Sequence, residues 1–245
     1  MIRLPPLSIH RNEIAEVRLV TAAREWLEQE DTKRAKGIHA SGLLDPRLEY
    51  WRDMLPRPLT EKQTMLFLIG RVLHHFVISS VEPATAPGQS DSGSHEELGI
   101  LFSPDLIKDG HPIEIKTNRS FYPPREDRLQ DELSFYLEQL CLYLILSNSL
   151  TGELWILYLN IKDEANRTFP EMRCYSVELS ESQFHDLEQQ IVTTRDLLLK
   201  AKAKKDHRGL ELCRKWLCGT NCVYFQNECR PEGRYPHKDK KKWLA

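Results

Sequence analysis

The chain has 245 residues, a length that fits one large domain or one domain with a small appendage. Hydrophobic residues make up 40% and charged residues 29%, a globular composition that can form a sizeable core. No apolar run approaches the about 20 residues that span a bilayer, and the N-terminus has no apolar stretch of signal-peptide length. The composition therefore argues against a membrane-spanning or secreted protein, and we expect a soluble, cytoplasmic one.

The charge of the chain is unevenly distributed. The net charge is −2, but residues 200–245 contain 13 Lys and Arg against 5 Asp and Glu. A basic segment on an acidic body can attract a polyanion such as nucleic acid. The alternative is that the lysine-rich stretch is only a solvated helix and tail.

Three helices are predicted before the middle of the chain. Apolar residues recur at helical spacing over Asn12–Glu30. A second helix is predicted to start at Ser41, a residue type that caps helices, and to run through Trp51. The third covers Thr60–Ile78, with Thr60 as its N-cap.

A loop and a β-hairpin are predicted next. Residues Pro83–Ser94 are rich in Pro, Gly and Ser, which is typical of a loop. Two β-like runs follow, His95–Ile107 and His111–Lys116, joined at Asp109-Gly110. An Asp-Gly pair between such runs is a strong hairpin signal.

The remaining elements predict the fold class. Leu129–Leu146 has the pattern of a long helix, Glu153–Ile161 and Arg173–Leu179 are typical of strands, and Ser180–Lys205 has the pattern of a helix. This order predicts an α/β domain with a central mixed β-sheet flanked by helices and a helical N-terminal part. We expect this domain to cover residues 1–206, with a small Cys-rich, metal-binding segment and basic tail at 207–245.

The predicted hairpin carries three candidate catalytic residues. Glu114 and Lys116 are two apart on a strand and share one face, while Ile115 points to the other, and the hairpin brings Asp105 beside them. Two converging carboxylates repel each other unless a cation such as Mg²⁺ or Mn²⁺ lies between them. A nearby lysine can orient a metal-bound water or stabilise charge on a phosphate. The alternative is a surface ion pair between Glu114 and Lys116 on an amphipathic strand.

Three sequence elements together resemble a known nuclease family. Pro104-Asp105 followed by Glu114-Ile115-Lys116 resembles the motif of the PD-(D/E)XK nuclease superfamily. Two more elements are similar to its RecB-like branch, namely a G-x-x-x-H element ending at His74 and a Q-x-x-x-Y element formed by Gln139 and Tyr143.

The resemblance implies a restriction-endonuclease-like core and a Mg²⁺- or Mn²⁺-dependent deoxyribonuclease, by preference an exonuclease acting on single-stranded ends. It also implies the site: the metal ligands His74, Asp105, Glu114 and the Ile115 carbonyl, the catalytic Lys116, and the substrate-contacting Gln139 and Tyr143. No G-x-x-x-x-G-K-[ST] loop is present in the sequence, so a helicase or another DNA-processing partner would supply any unwinding. The alternative is a catalytically silent DNA-binding or assembly subunit that uses the nuclease fold as a scaffold.

Four cysteines near the C-terminus predict a second metal site. Cys213, Cys218, Cys222 and Cys229 can close a tetrahedral shell around Zn²⁺ or a [4Fe–4S] cluster. The chain is also similar to the iron–sulfur subgroup of RecB-like nucleases, which includes CRISPR-associated and helicase-linked enzymes. In that subgroup three C-terminal cysteines share the cluster with an upstream cysteine, and here Asp45 occupies that upstream position. We therefore expect the covalent link between the two ends of the chain to be lost and the site to be local, with iron–sulfur and zinc both open.

Aromatic and basic residues alternate around these cysteines. Rings interleaved with cations are suited to single-stranded nucleic acid, because bases stack on the rings while phosphates are attracted to the cations. The alternative is that the rings pack around the metal site. The residues concerned are Trp216, Tyr224, Phe225 and Tyr235 with Arg214, Lys215, Arg230 and Arg234.

Overall fold

The structure is a computed structural model that describes residues 37–56, 60–81 and 93–214, together with 21, 22, 25, 217, 222–224 and 229. The chain forms two compact units, of which one contains residues 60–73 and the other contains residues 37–56 and the described residues from 74 onward. Most of the predicted helix over Asn12–Glu30 and of the predicted loop over Pro83–Ser94 lies outside the described residues. The boundary expected between residues 206 and 207 stays a prediction.

The predicted second helix is two helices. A short strand β1 (Ile38–His39) leads into α1 (Ala40–Leu43), and α2 (Pro46–Met54) follows. Pro46 disfavours helical backbone at the residue before it, and Asp45 has φ −137° and ψ 71°, so the helix breaks there and restarts with proline in its first turn. The prediction of Ser41 as N-cap is wrong, since Ser41 lies inside α1.

Helix α3 (Glu61–Val81) begins where the sequence predicts. The Thr60 hydroxyl accepts a hydrogen bond from the Gln63 backbone N–H at 3.3 Å, and the Gln63 side chain accepts one from the Thr60 N–H at 3.0 Å. These two bonds form a capping box, which confirms Thr60 as the N-cap. The helix extends three residues beyond the predicted end at Ile78.

Helix α3 is also the one described helix that is long and apolar enough to cross a bilayer, with a mean hydropathy of 1.5 over an 18-residue window. This differs from the sequence-based expectation of no such run. Length and composition are weak criteria, because core helices meet them too. Arg71, His74 and His75 interrupt the apolar run, and ionisable groups are expensive in hydrocarbon.

The strands form two mixed sheets. Strands β1, β3 (Ile100–Phe102) and β2 (Gly93–His95) form one sheet, in which β1 is parallel and β2 antiparallel to β3. The other sheet begins with β4 (Leu106–Lys108). The predicted continuous strand over His95–Ile107 is therefore wrong. A turn after β2 and Pro104, which lacks a backbone donor, separate the three short strands.

The predicted hairpin turn is confirmed. Strand β4 pairs antiparallel with β5 (His111–Asn118), and Lys108 lies opposite His111. Asp109 and Gly110 both have positive φ, 51° and 82°, as a two-residue type I′ turn requires.

Helices and strands after β5 complete the four-stranded sheet. A 3₁₀ turn and the short α4 (Leu129–Glu132) precede α5 (Ser134–Leu146), so the predicted single helix is interrupted at Leu133, which is non-helical and buried. Strand β6 (Thr151–Lys162) then pairs parallel with β5, and β7 (Thr168–Glu178) pairs antiparallel with β6. The sheet order β4-β5-β6-β7 makes β5 an interior strand.

Helix α6 (Glu181–Lys204) is the last helix among the described residues and agrees with its prediction. Ser180 and Gln183 form a capping box at its start, and Lys205 ends it in the left-handed conformation at φ 51°. The observed architecture is a central mixed sheet flanked by helices, so the predicted α/β fold class is confirmed.

Both faces of β5 are buried. On one face Ile113 and Ile115 pack with Leu106 and with Val77 of α3. The opposite face of the sheet is covered by α5, in a core whose fully buried members include Leu140, Leu144, Leu154 and Ile156. Polar residues of β5 that point toward α5 therefore lie in a site of low water content.

Gly152 sets how closely α5 approaches the sheet. A Cβ at this position would lie 2.7 Å from the Pro112 carbonyl oxygen and 2.8 Å from Leu144. We expect Gly152→Ala to lower the free energy of unfolding by about 1–3 kcal/mol, because backbone cannot move aside cheaply. Urea denaturation measures the change. Gly209→Ala is the control, since its Cβ meets nothing within 4 Å; equal stability of the two variants would contradict the expectation.

Candidate active site

Asp105 lies directly before β4, and its side chain is hydrogen-bonded to the middle of β5. Its Oδ2 accepts a hydrogen bond from the Ile115 backbone N–H at 2.7 Å. Pro104, immediately before it, is fully buried, which fixes the chain that carries the carboxylate. The structure thus places Asp105 beside Glu114 and Lys116, the arrangement expected from the hairpin.

Glu114 and Lys116 project from the same face of β5. Glu114 is only 1% exposed, and the Lys116 ammonium donates to its Oε1. A pair this deeply buried differs from the surface pair considered as the alternative. An unpaired ion at this depth would be costly, so each group depends on the other for its charge.

His74 reaches the same point from α3. Its Nδ1 lies 3.4 Å from Asp105 Oδ1, and both side chains are partly exposed. The predicted metal ligands His74, Asp105 and Glu114, together with the Ile115 backbone, are therefore gathered at one edge of β5.

The electrostatics of the two carboxyl groups are opposed. Burial raises the pKa of Glu114 to about 8, and the Asp105 carboxylate beside it adds to the rise, although the Lys116 ammonium opposes it. Burial also acts to raise the pKa of Asp105, but the His74 hydrogen bond and charge, Lys116 and the Ile115 N–H outweigh it and hold that pKa below its usual value. Of the two, Asp105 is the stronger acid, and the site has too little positive charge to ionise both carboxyls readily.

The side chains fit a divalent cation in chemistry. Two carboxylates with an imidazole and a backbone carbonyl are suitable ligands for Mg²⁺ or Mn²⁺, and the raised Glu114 pKa marks the place where a cation would relieve repulsion. Over the described part of the chain, no three His, Cys, Asp or Glu side chains already converge as a ligand set. Instead the oxygens are held by Ile115, His74 and Lys116.

Tyr136 and Asn118 also belong to this site, and the sequence analysis missed both. Burial raises the pKa of Tyr136 on α5, and the nearby Lys116 ammonium and a hydrogen bond to Asn118 oppose that rise. Asn118 Oδ1 accepts from the Ser120 N–H at 2.7 Å, which leaves its amide N–H groups for Tyr136. Strand alternation from Lys116 to Asn118, and helical spacing from Gln139 back to Tyr136, are the signals that could have found them.

Gln139 and Tyr143 lie one turn apart on α5. Gln139 Nε2 donates to the Tyr143 hydroxyl at 3.0 Å. Tyr143 is buried while Gln139 is half-buried. Of the two predicted substrate contacts, Gln139 is the accessible one, and Tyr143 orients its amide.

The structure describes three of the four C-terminal cysteines. Cys213 is buried and packs with Cys222, while Cys229 is half-buried, and none of the three forms a disulfide. Cys218 lies outside the described residues. Cys213 and Cys222 are therefore the two predicted ligands that the structure brings into contact.

Asp45 joins the start of α2 to the segment after α6. Its Oδ1 accepts from the Arg214 backbone N–H at 3.4 Å, and its Oδ2 pairs with the Arg214 guanidinium at 3.3 Å. Arg214 directly follows Cys213 and also pairs with Glu138 of α5. The residue predicted to break a covalent link at this point thus forms an ion pair and a hydrogen bond with the residue that follows Cys213.

Other contacts of α2 reinforce this connection. The buried guanidinium of Arg47 donates to the carbonyls of Arg208 and Leu210. The Tyr224 hydroxyl donates to the Leu55 carbonyl at 2.9 Å, and its ring stacks on Trp51. Tyr224 thus packs inside the fold and does not offer its ring to nucleic acid.

Arg214 is the one other described residue of the predicted aromatic–basic surface. Arg214 lies over the Phe135 ring, 4.4 Å from its centroid, so it too is engaged within the protein. The others lie outside the described residues, and they are Trp216, Phe225 and Tyr235 with Lys215, Arg230 and Arg234.

Three solved structures to which this chain is similar are described as exonucleases. A phage-related exonuclease from Haemophilus somnus 129PT matches with a TM-score of 0.46 at 10% identity, over 71% of this chain and 98% of that one. An alkaline exonuclease from Laribacter hongkongensis matches with a TM-score of 0.37 at 15% identity, over 73% and 98%, and its complex with dAMP gives 0.35 at 16%, over 69% and 94%. No protein-family model and no curated protein matches the sequence.

Proposed function

We propose that this protein is a metal-dependent DNA nuclease that hydrolyses phosphodiester bonds at the Asp105–Glu114–Lys116 site. The observation that carries the proposal is the convergence of the buried Glu114 carboxyl, the partly exposed Asp105 carboxylate and the Lys116 ammonium, with the pKa values of the two carboxyls shifted in opposite directions. Perturbed acids gathered with a cationic side chain are typical of catalytic sites. A structural ion pair alone would not need the second carboxylate or His74.

The environment of each residue suggests a separate role in catalysis. Asp105, held by the Ile115 N–H and by His74, stays ionised and fixed, and with Glu114, His74 and the Ile115 carbonyl it would hold Mg²⁺ or Mn²⁺. Such an ion supplies a hydroxide nucleophile and offsets phosphate charge. Lys116 adds a preorganised positive charge for the pentacoordinate phosphate.

The substrate side of the site is formed by α5. The Gln139 amide, which donates to the Tyr143 hydroxyl, would donate its second N–H to the DNA backbone. By the resemblance of the motifs we propose exonuclease action on single-stranded ends, with unwinding by a partner such as a helicase.

Cleavage of end-labelled single- and double-stranded DNA in Mg²⁺, Mn²⁺ or EDTA tests the function. We expect cutting in either metal, none in EDTA, and near-complete loss in Asp105→Asn, which keeps the shape of the side chain and removes its charge. Asp109→Asn is the matched control in the same hairpin, because Asn tolerates the left-handed conformation at that turn. Metal-dependent cutting that survives in Asp105→Asn would overturn the site assignment.

A protein that binds DNA but cuts none of these substrates would support the alternative, a silent DNA-binding or assembly subunit. One observation favours that alternative: the ion pair between Lys116 and the buried Glu114 satisfies both charges without any metal.

We also propose that residues 207–245 hold one metal centre through Cys213, Cys218, Cys222 and Cys229, with [4Fe–4S] preferred to Zn²⁺. The packing of Cys222 against Cys213 supports it. A brown preparation that absorbs near ~400 nm indicates iron–sulfur, and a colourless one with stoichiometric zinc indicates the other. Cys222→Ser should lose the metal and Cys141→Ser should retain it; metal content unchanged in Cys222→Ser contradicts the proposal.

A further inference from the structure

The chain leaves the catalytic strand through an exposed segment that we call the 119–125 loop. The Ser120 N–H bonds to the Asn118 side chain at 2.7 Å, which turns the chain at the end of β5. The Lys162 N–H at the end of β6 donates to the Phe121 carbonyl at 2.9 Å. The loop is therefore anchored to two neighbouring strands of the sheet.

Two aromatic rings on this loop face solvent. Phe121 is 43% exposed and Tyr122 is 67% exposed, so two adjacent aromatic side chains present their rings to solvent together. Lys162 Nζ lies 4.8 Å from the Phe121 ring centroid, a cation–π contact that holds this ring in place. Rings kept exposed on an anchored backbone are ready to stack on a planar ligand.

The charge of the loop is positive. Residues 119–125 contain Arg119 and Arg125 and no acidic residue, and both arginines are exposed. Arg125 pairs with Asp127 at 3.0 Å, but an ion pair between two exposed side chains is weak and a phosphate can compete for it. With Lys162, the rings are flanked by three cations.

We infer that the 119–125 loop is a binding platform for single-stranded DNA, with Phe121 and Tyr122 stacking on unpaired bases and Arg119, Arg125 and Lys162 holding the phosphates. Stacking of this kind needs bare base faces, which a duplex hides between its pairs. The inference rests on the proposed function for the identity of the ligand, and it assigns a substrate contact that the catalytic residues do not provide.

The position of the loop suits a strand that enters the site. Arg119 follows Lys116 by three residues, about 10 Å along an extended chain. That length corresponds to about three nucleotides at the 3.4 Å rise of a DNA strand. A strand whose phosphate lies at Lys116 would therefore reach Arg119 after about three nucleotides, and the two rings follow two and three residues later in the chain.

Binding of a fluorescein-labelled oligo-dT to the full-length protein in EDTA, followed by anisotropy, tests the platform without cleavage. We expect Phe121→Leu and Tyr122→Leu each to weaken binding about fivefold or more, the cost of losing one stacked base. Tyr122→Phe keeps the ring and should bind like the unsubstituted protein. Phe76→Leu is the matched control, because Phe76 on α3 is also 67% exposed.

Salt dependence tests the cations separately. Arg119→Ala should weaken binding and reduce the slope of log K against log salt by about 0.7, the value for one phosphate of a single strand. Duplex DNA of equal length should respond to Arg119→Ala but not to either leucine variant. Circular dichroism confirms that the variants are folded.

Three outcomes overturn the inference: both leucine variants bind oligo-dT as tightly as the unsubstituted protein, they lose duplex binding equally, or the protein binds no DNA. Cleavage is measured apart from binding, so the two proposals fail separately. Metal-dependent cutting with ring-independent binding removes the platform and keeps the nuclease. Ring-dependent binding without cutting keeps the platform and removes the nuclease.

Discussion

Lys116→Met is expected to lower the rate of DNA cleavage at saturating substrate by about 10²–10³-fold, the usual cost of one preorganised group that stabilises transition-state charge. Methionine keeps the length of the side chain and removes the ammonium that contacts Glu114. The loss should fall on kcat rather than on DNA binding, because the charge matters most when negative charge develops on the phosphate. Single-turnover cleavage with Mg²⁺, together with the DNA affinity in EDTA, separates the two.

Lys108→Met is the matched control, since Lys108 is an exposed lysine on β4 of the same hairpin. The fold should survive Lys116→Met near neutral pH. The Glu114 pKa is already about 8, so this carboxyl can stay protonated when its partner is gone. A destabilisation of Lys116→Met should appear as the pH rises above about 8, where Glu114 would otherwise ionise. Equal cleavage rates in Lys108→Met and Lys116→Met would remove Lys116 from the mechanism.

Arg47→Leu is expected to lower the free energy of unfolding by about 3 kcal/mol, because it leaves two inward-facing carbonyls without a donor. Arg47 is 7% exposed, and its guanidinium donates to the carbonyls of Arg208 and Leu210. For a chain of this size such a loss corresponds to a fall in Tm of roughly 6–12 °C. Thermal unfolding followed by circular dichroism measures it.

Arg52→Leu provides the comparison on the same helix. Arg52 is exposed and pairs with Glu49 only at 4.0 Å, so its loss should change stability by no more than about 0.5 kcal/mol. If Arg47→Leu proved as mild as Arg52→Leu, the attachment of the C-terminal segment to α2 would have to reside elsewhere.

The sequence predicted those elements whose formation depends on residues that are close together in the chain. The Asp109-Gly110 turn, the Thr60 cap and the long strands and helix after Thr151 all follow from residues close in sequence. The helix break before Pro46 was available from the same rules and was missed. The interruption at Leu133 depends on burial of that side chain in the core, which no window of the sequence shows.

The candidate site shows the same division. Strand alternation placed Glu114 and Lys116 on one face, and the hairpin placed Asp105 beside them. The depth of burial of Glu114 could not be predicted, because it depends on α5 crossing over a parallel pair of strands that are distant in sequence. The position of Tyr136 near Lys116 and Asn118 results from the same crossing of α5 over the strands. The partner of Asp45 lies 169 residues away, a separation over which the sequence carries no pairing signal.

The Asp45–Arg214 pair changes how the protein responds to its chemical environment. A cluster shared between the two ends of a chain comes apart when oxidant or chelator removes its metal, and the fold opens with it. Here the attachment of α2 to the C-terminal segment uses a carboxylate, two guanidinium groups and a phenol, none of which binds iron or is readily oxidised. If the cysteines hold the proposed metal, its removal would therefore leave this attachment in place, and oxidation of the cysteines would spare the contacts between α2 and the C-terminal segment.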